Sequence, residues 1–182
     1  MDKHKLSFKE TCSGKYSQVA PPQFRRTVLL LVTAAMGRNS VKQSPFSVRK
    51  AVLKTTDGKI ASIRPKKYIE VQDIQEENAK KKYVTVFMYT GEGKSVYMAF
   101  RFQLKRKFYF PVVKNNELKV LNHRSSPSDE FFFKWGEESG NAKSLVSVAA
   151  PQVYLSCEGK VVTVGTAHTS TPPLLFDMVW LE

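Results

Sequence analysis

Residues 145–157 read Leu145-Val146-Ser147-Val148-Ala149-Ala150-Pro151-Gln152-Val153-Tyr154-Leu155-Ser156-Cys157. Two alternating segments, Leu145–Ala149 and Val153–Cys157, flank a short stretch that contains a proline. Pro151 has no N–H to donate to a ladder, so it ends one strand and fixes the turn into the next. Tyr154 and Leu155 then set large groups on opposite faces of the second strand. This is the pattern of core architecture, and it identifies a fold more than it explains binding.

The same rhythm extends outward in both directions. From Phe46 onward no ten-residue window has a helical period. Short strands are predicted at Phe46–Thr55, Lys59–Arg64, Tyr68–Ile74 and Tyr83–Tyr89. They continue at Val96–Gln103, Phe108–Val113, Leu118–Leu121 and Phe131–Trp135. The last four are Leu145–Ala149, Val153–Cys157, Val161–Gly165 and Leu174–Leu181. Val84, Val86 and Met88 share one face, as do Val96, Met98, Phe100 and Phe102. Asp57-Gly58 signals a two-residue hairpin between the first two strands, and Pro111 marks an edge or bulge. Twelve strands in three groups of four, at roughly 46–91, 92–140 and 141–182, predict an all-β chain with the β-trefoil architecture. The repeat is one of strand count and spacing, without residue-level identity between units.

Residues 1–45 differ. Lys3, Lys5, Lys9, Lys15, Arg25, Arg26, Arg38 and Lys42 face only Asp2 and Glu10, and Pro21-Pro22 and Ser44-Pro45 punctuate the stretch. We read a basic N-terminal leader or propeptide-like tail, with the domain at 46–182. Arg25-Arg26 and the apolar run Val28–Met36 resemble parts of a secretory signal, but they follow a long polar stretch, and a packing strand or helix fits better. That run is too short to span a membrane.

The chain has 182 residues, of which 42% are hydrophobic, and 29 Lys+Arg against 16 Asp+Glu give a formal charge of +13. Such a composition builds a core, excludes wholesale disorder and favours acidic partners. Cys12 and Cys157 cannot form a disulfide framework, and Cys157 reads as a small buried hydrophobe. Catalytic chemistry finds little support. Gly91-Glu92-Gly93-Lys94-Ser95 ends like a phosphate-binding loop, yet Met88 stands where that loop needs glycine and a strand follows the serine. His4, His123 and His168 lack metal-ligand spacing, and no Gly-x-Ser-x-Gly elbow exists. Neither metal nor cofactor is expected. Lys66-Lys67, Lys80-Lys81-Lys82 and Lys105-Arg106-Lys107 fall at turns, where charge protects edges. Without interleaved aromatics they disfavour nucleic acid.

With these residues in hand, 145–157 resembles the C-terminal signature of the interleukin-1 cytokine family, in its interleukin-1β/interleukin-18-like branch. Ser147, Val148, Pro151, Tyr154, Leu155 and Ser156 match. Leu145 replaces the usual Phe, Cys157 the usual Thr, and Gly165 occupies a normally aliphatic place. Phe131–Lys134 and Leu175–Met178 are similar to the family's strands flanking the signature, and Tyr83–Tyr89, the Gly91-Glu92-Gly93 loop and Val96–Phe102 to its fourth and fifth strands. The resemblance implies a secreted, monomeric cytokine that lacks a conventional signal peptide and has a cytoplasmic precursor with a nuclear variant of its role. It would bind interleukin-1/interleukin-18-type receptor ectodomains of immunoglobulin type and recruit an accessory chain carrying TIR domains, or antagonise that assembly. Strand position then suggests Lys54, Gln72, Asp73, Gln75, Glu92, Lys94, Lys134 and Glu137 as receptor contacts. Asp57, followed by Gly58, could be a caspase-type site, but cleavage there would split the first hairpin. Maturation near residues 38–45 fits the boundary better. The alternative reading is a glycan-binding trefoil of growth-factor or lectin type, and heparan sulfate is a partner class under either reading.

Overall fold

A computed structural model describes residues 44–79, 82–123 and 128–182. The predicted tail up to residue 43, with the Val28–Met36 run, His4 and Cys12, lies outside the described residues, as do Lys80 and Lys81.

The strands are β1 (Ser47–Thr55), β2 (Ile60–Ile63), β3 (Ile69–Gln72) and β4 (Val84–Thr90), then β5 (Val96–Leu104), β6 (Lys107–Lys114), β7 (Glu117–Leu121) and β8 (Phe133–Ser139). β9 (Ala142–Ser147), β10 (Val153–Glu158), β11 (Val161–Thr166) and β12 (Leu175–Leu181) complete the set. Antiparallel pairing runs β1–β4, β4–β5, β5–β8, β8–β9, β9–β12 and β12–β1, so six strands close on themselves. The remaining strands form hairpins β2–β3, β6–β7 and β10–β11, hung from the ring by β1–β2, β5–β6 and β9–β10. A closed six-stranded barrel with three hairpin caps is a β-trefoil. Closure leaves the barrel strands without a free edge. Because neighbours alternate in direction, the β4–β5 and β8–β9 loops share one end with the start of β1 and the end of β12. The caps occupy the other end.

Apolar alternation fills the barrel. Met98, Phe100, Phe133, Leu145, Val84, Val86 and Phe176 are inaccessible and belong to one cluster. A smaller cluster sits elsewhere, built on Tyr89, Ala99 and Phe132 with Phe87, Tyr97 and Val148 against it. These residues alternate with core residues along β4 and β5, so they lie on the outer face of the barrel wall.

Several expectations change in detail. The first hairpin has a three-residue loop, because the Thr55 N–H bonds Lys59 O at 2.8 Å and the Gly58 N–H bonds Thr55 O at 2.9 Å. Gly58 takes φ +84, which lets the extra residue fit. Pro111 sits where the β5 ladder has already ended at Phe102↔Tyr109, so only β7 runs beside it, through Pro111↔Val120. This is the expected edge. β8 starts at Phe133 because Asp129–Phe131 forms a 3-10 turn, and β9 covers Ala142–Ser147 rather than 145–149. Val96 shares the parity of Met98 yet is exposed at the barrel end. Glu76–Ala79 forms one helical turn. Cys157 is half-buried rather than buried; its thiol donates to Gly159 O at 3.3 Å, and burial raises its pKa.

The signature residues bind the chain to itself. Ser147 Oγ accepts the Ala150 N–H at 3.2 Å, shaping the turn from β9 to β10. Three consecutive residues of β10 then hold the segment before β12. Tyr154 shares its hydroxyl proton between Thr166 O and Thr171 O, each at 2.9 Å. Leu155 O accepts the Leu174 N–H at 2.8 Å, and Ser156 donates to Pro172 O at 2.7 Å. Gly165 pairs with Tyr154, and a Cβ there would lie 2.6 Å from the tyrosine ring and 3.2 Å from Thr171 O. The ring occupies the space an aliphatic side chain would need.

Urea unfolding should resolve these contributions. Tyr154→Phe and Ser156→Ala each lose a partly or fully buried hydrogen bond, about 1–2 kcal/mol apiece. Phe133→Ala should cost about 3–5 kcal/mol, whereas Phe46→Ala, at a side chain 60% exposed, should stay within about 0.5 kcal/mol. Gly165→Ala should cost about 1–3 kcal/mol through overpacking against Tyr154.

Candidate functional site

The eight suggested contact residues divide between the two barrel ends. Lys54, Ile60 and Gln72 stand side by side across β1, β2 and β3, which puts Lys54 and Gln72 two strand spacings apart, about 10 Å. Gln72 Nε2 donates to Ser62 Oγ at 2.5 Å, which orients its amide. Asp73 and Gln75 are exposed just beyond. Gln75 O accepts the Asn78 and Ala79 N–H groups, so this segment is a formed turn. These four residues belong to the capped end.

Beside them lies the tip of the first hairpin. Lys59 Nζ donates to Asp57 Oδ2 at 2.6 Å, and Thr55 Oγ1 also hydrogen-bonds the Asp57 carboxylate. The Lys59 bond, then the Thr55 bond, lowers the Asp57 pKa below the ordinary carboxylate value. Asp57 reciprocally raises the pKa of Lys59, with a further contribution from Asp73. Asp73 therefore lies in the electrostatic neighbourhood of the hairpin tip.

Glu92 and Lys94 belong to the open end. They form a 3-10 turn between β4 and β5, closed by a Gly91 N–H bond to Ser95 O at 2.7 Å. Gly93 and Lys94 take φ +62 and +66, a pair of left-handed residues that turns both charged side chains outward. The strand that follows agrees with the rejection of a phosphate loop. Glu137 is exposed at the register shift between Trp135 and Glu138 in β8. Lys134 is half-buried within β8, opposite Val146 on the barrel wall, and joins neither group.

Sequence reasoning missed other features of the open end. Arg49 has core parity, but it lies at the barrel mouth, where its guanidinium stacks 4.6 Å from the centre of the Trp180 ring. Phe46 just before β1, Val48 on β1 and Val179 on β12 are exposed. Val48 pairs with Phe87 and Val52 with Val179, so two apolar pairs lie on the outer wall, one on either side of Lys50. Further round, Arg101 stacks on Phe87 and Phe108 at 5.1 and 4.4 Å, and its Nε is buried without a partner. A signal for Arg101 was present, since a basic residue interrupts the outward parity of β5, but no pattern reveals which rings it meets. Among the described residues no three His, Cys, Asp or Glu side chains come together as a metal site. No helix there is long and apolar enough to cross a membrane.

The linkage of Asp57 has a definite sign. Its pKa is lowered in the folded chain, so its contribution is present above the unfolded carboxylate value and fades as pH falls through the folded one. The stability difference between the parent and Asp57→Asn should be small at pH 7, because the pair is exposed. It should begin to shrink as pH falls to about 4 and vanish only well below that, as read by urea titrations at pH 7 and through the acid range.

No protein-family model and no characterised protein matches the sequence. Solved structures do match in shape. A point mutant of Gallus interleukin-1β aligns with TM-score 0.57 and 10% identity, over 74% of this chain and 97% of that one. A hydrophobic-cavity mutant of chicken interleukin-1 aligns with TM-score 0.58 and 12% identity, over 75% and 98%. The solution structure of interleukin-36α, described as a pro-inflammatory cytokine, aligns with TM-score 0.51 and 12% identity, over 77% and 98%. At these identities the likeness concerns fold, and the fold is that of the interleukin-1-type β-trefoil.

Proposed function

We propose that this chain is an interleukin-1-family cytokine whose domain at 46–182 binds an immunoglobulin-type receptor. That complex would then recruit an accessory chain to trigger TIR-domain inflammatory signalling, or block its recruitment. The observation that carries this reading is the closed barrel held by the signature residues, in an architecture that covers nearly the whole of the interleukin-1-type structures it resembles. The domain acts by presenting a rigid surface, with loops on the β scaffold carrying specificity. We assign it to the extracellular space as a monomer, released without a conventional signal peptide, with residues 1–45 as a leader removed on maturation.

Two surfaces suit two partners. At the capped end Lys54, Gln72, Asp73 and Gln75 offer a polar patch. At the open end Glu92, Lys94 and Glu137 rim a mouth closed by Arg49 and Trp180, next to the apolar patch of Phe46 and Val48. An apolar centre with a charged rim is the usual anatomy of a protein interface.

A panel of interleukin-1/interleukin-18-type receptor ectodomains, titrated with the full chain and with 46–182 at physiological salt, tests the reading. Saturable binding to one ectodomain is expected, retained with excess heparin and equal for both chains. Lys94→Glu combined with Arg49→Ala should weaken one partner about tenfold or more and leave the other unchanged. Absence of binding to every ectodomain would overturn the proposal.

A further inference from the structure

A groove of about 300 Å3 opens at the capped end, between β2, the start of β4 and the end of β5. Its volume is at the lower bound of small-ligand sites. Ile63, Phe102 and Leu104 provide an apolar floor, Ser62, Tyr83 and Gln103 polar walls, and Lys82 and Lys105 a cationic rim. Both lysines are exposed. A third ammonium stands close by, with Lys50 Nζ 4.6 Å from the centre of the Tyr83 ring. The backbone that carries Lys105 is held, since this residue sits at φ +57 in the β5–β6 turn and Gln103 Nε2 donates to its carbonyl at 3.1 Å.

The groove's charge has no counter-charge among the described residues. Among the described residues no carboxylate lines it. The ion pairs among the described residues engage Asp57, Glu70, Glu117, Glu130 and Glu138 with Lys59, Arg64, Lys119, Lys114 and Lys143. Neither Lys82 nor Lys105 takes part in an ion pair among the described residues. Cations converging on a concave site without counter-charge raise the local concentration of anions.

We infer that this groove binds a segment of a sulfated glycan. The carbon face of a sugar ring would lie on Ile63, Phe102 and Leu104, while sulfates on the ring edge reach Lys82 and Lys105, with Lys50 extending the track. Alternating carbon faces and fixed anionic groups match a narrow apolar floor between point charges. A bilayer surface is too flat to enter a concave site. Single-stranded nucleic acid needs free aromatic faces; Lys50 already covers one face of Tyr83, and Phe102, the other ring lining the groove, is only 4% exposed. The site shares the capped end with Lys54, Gln72, Asp73 and Gln75, and Ser62 on its wall accepts from Gln72, but it leaves the open-end loops uncovered.

The test is calorimetric titration of the full chain with a size-defined, fully sulfated heparin oligosaccharide at physiological salt. Lys82→Ala with Lys105→Ala is compared with Lys66→Ala with Lys67→Ala, which removes the same charge at a turn outside the groove. The groove pair should weaken binding about tenfold or more, the loss of two charge-assisted contacts, and the control pair less than about twofold. Retained thermal unfolding in both variants excludes misfolding. Equal losses in the two pairs, no binding by the parent, or equal competition by desulfated oligosaccharide, duplex DNA or anionic vesicles would each overturn the proposal. No receptor enters the readout, so a failed receptor panel leaves the result readable.

Discussion

The fold depends on how β10 holds the residues that deliver β12. A six-stranded barrel exists only if its last strand reaches its first, and β12 lies far from β1 in sequence. Loop closure over such a separation has an entropic cost. Tyr154, Leu155 and Ser156 hydrogen-bond Thr171, Leu174 and Pro172 in succession, so the chain enters β12 already aimed. The adjacent Pro172-Pro173 restricts φ and donates no N–H, leaving its carbonyls to accept. β12 then pairs with β1 from Lys50↔Leu181 to Thr55↔Phe176, and with β9 through Leu175↔Ser144. Phe176 and Met178 carry this closure into the core. The segment that most resembles a cytokine signature therefore acts as a structural clasp.

Closure also distributes function. An alternating ring gathers the β4–β5 and β8–β9 loops at one end and the caps at the other, so residues distant in sequence share a surface only if they share an end. Lys54, Gln72 and Asp73 share the capped end; Glu92 and Lys94 stand at the opposite one. The cationic groove belongs to the capped end but opens beside β5. One closed barrel thus carries polar and cationic faces at its capped end and an apolar patch with a charged rim at its open end.

Much of this was legible in the residues. All twelve strands follow from alternation and turn chemistry, because a half-buried strand must alternate and a hairpin must turn. Position within the pattern was harder. Asp57-Gly58 marks the hairpin, but the bulge that adds a residue depends on pairing with Lys59. Asn115-Asn116, both with positive φ, make the β6–β7 turn that their side chains tolerate, and that signal went unused. The contacts of the clasp, the stacking of Arg49 on Trp180 and the groove join residues distant in sequence. No local period encodes them. Gly165 illustrates the limit, since its departure from an aliphatic residue makes sense only beside the Tyr154 ring.

The most direct test of the account is amide hydrogen exchange of the full chain, alone and bound to the receptor ectodomain that it recognises. The account predicts that β1 and β12 exchange most slowly in the free chain, because they open only with the whole barrel. It also predicts that binding adds protection at residues 91–95 or 54–75, with none confined to the groove. Early exchange in β12, or receptor protection only around Lys82 and Lys105, would contradict it.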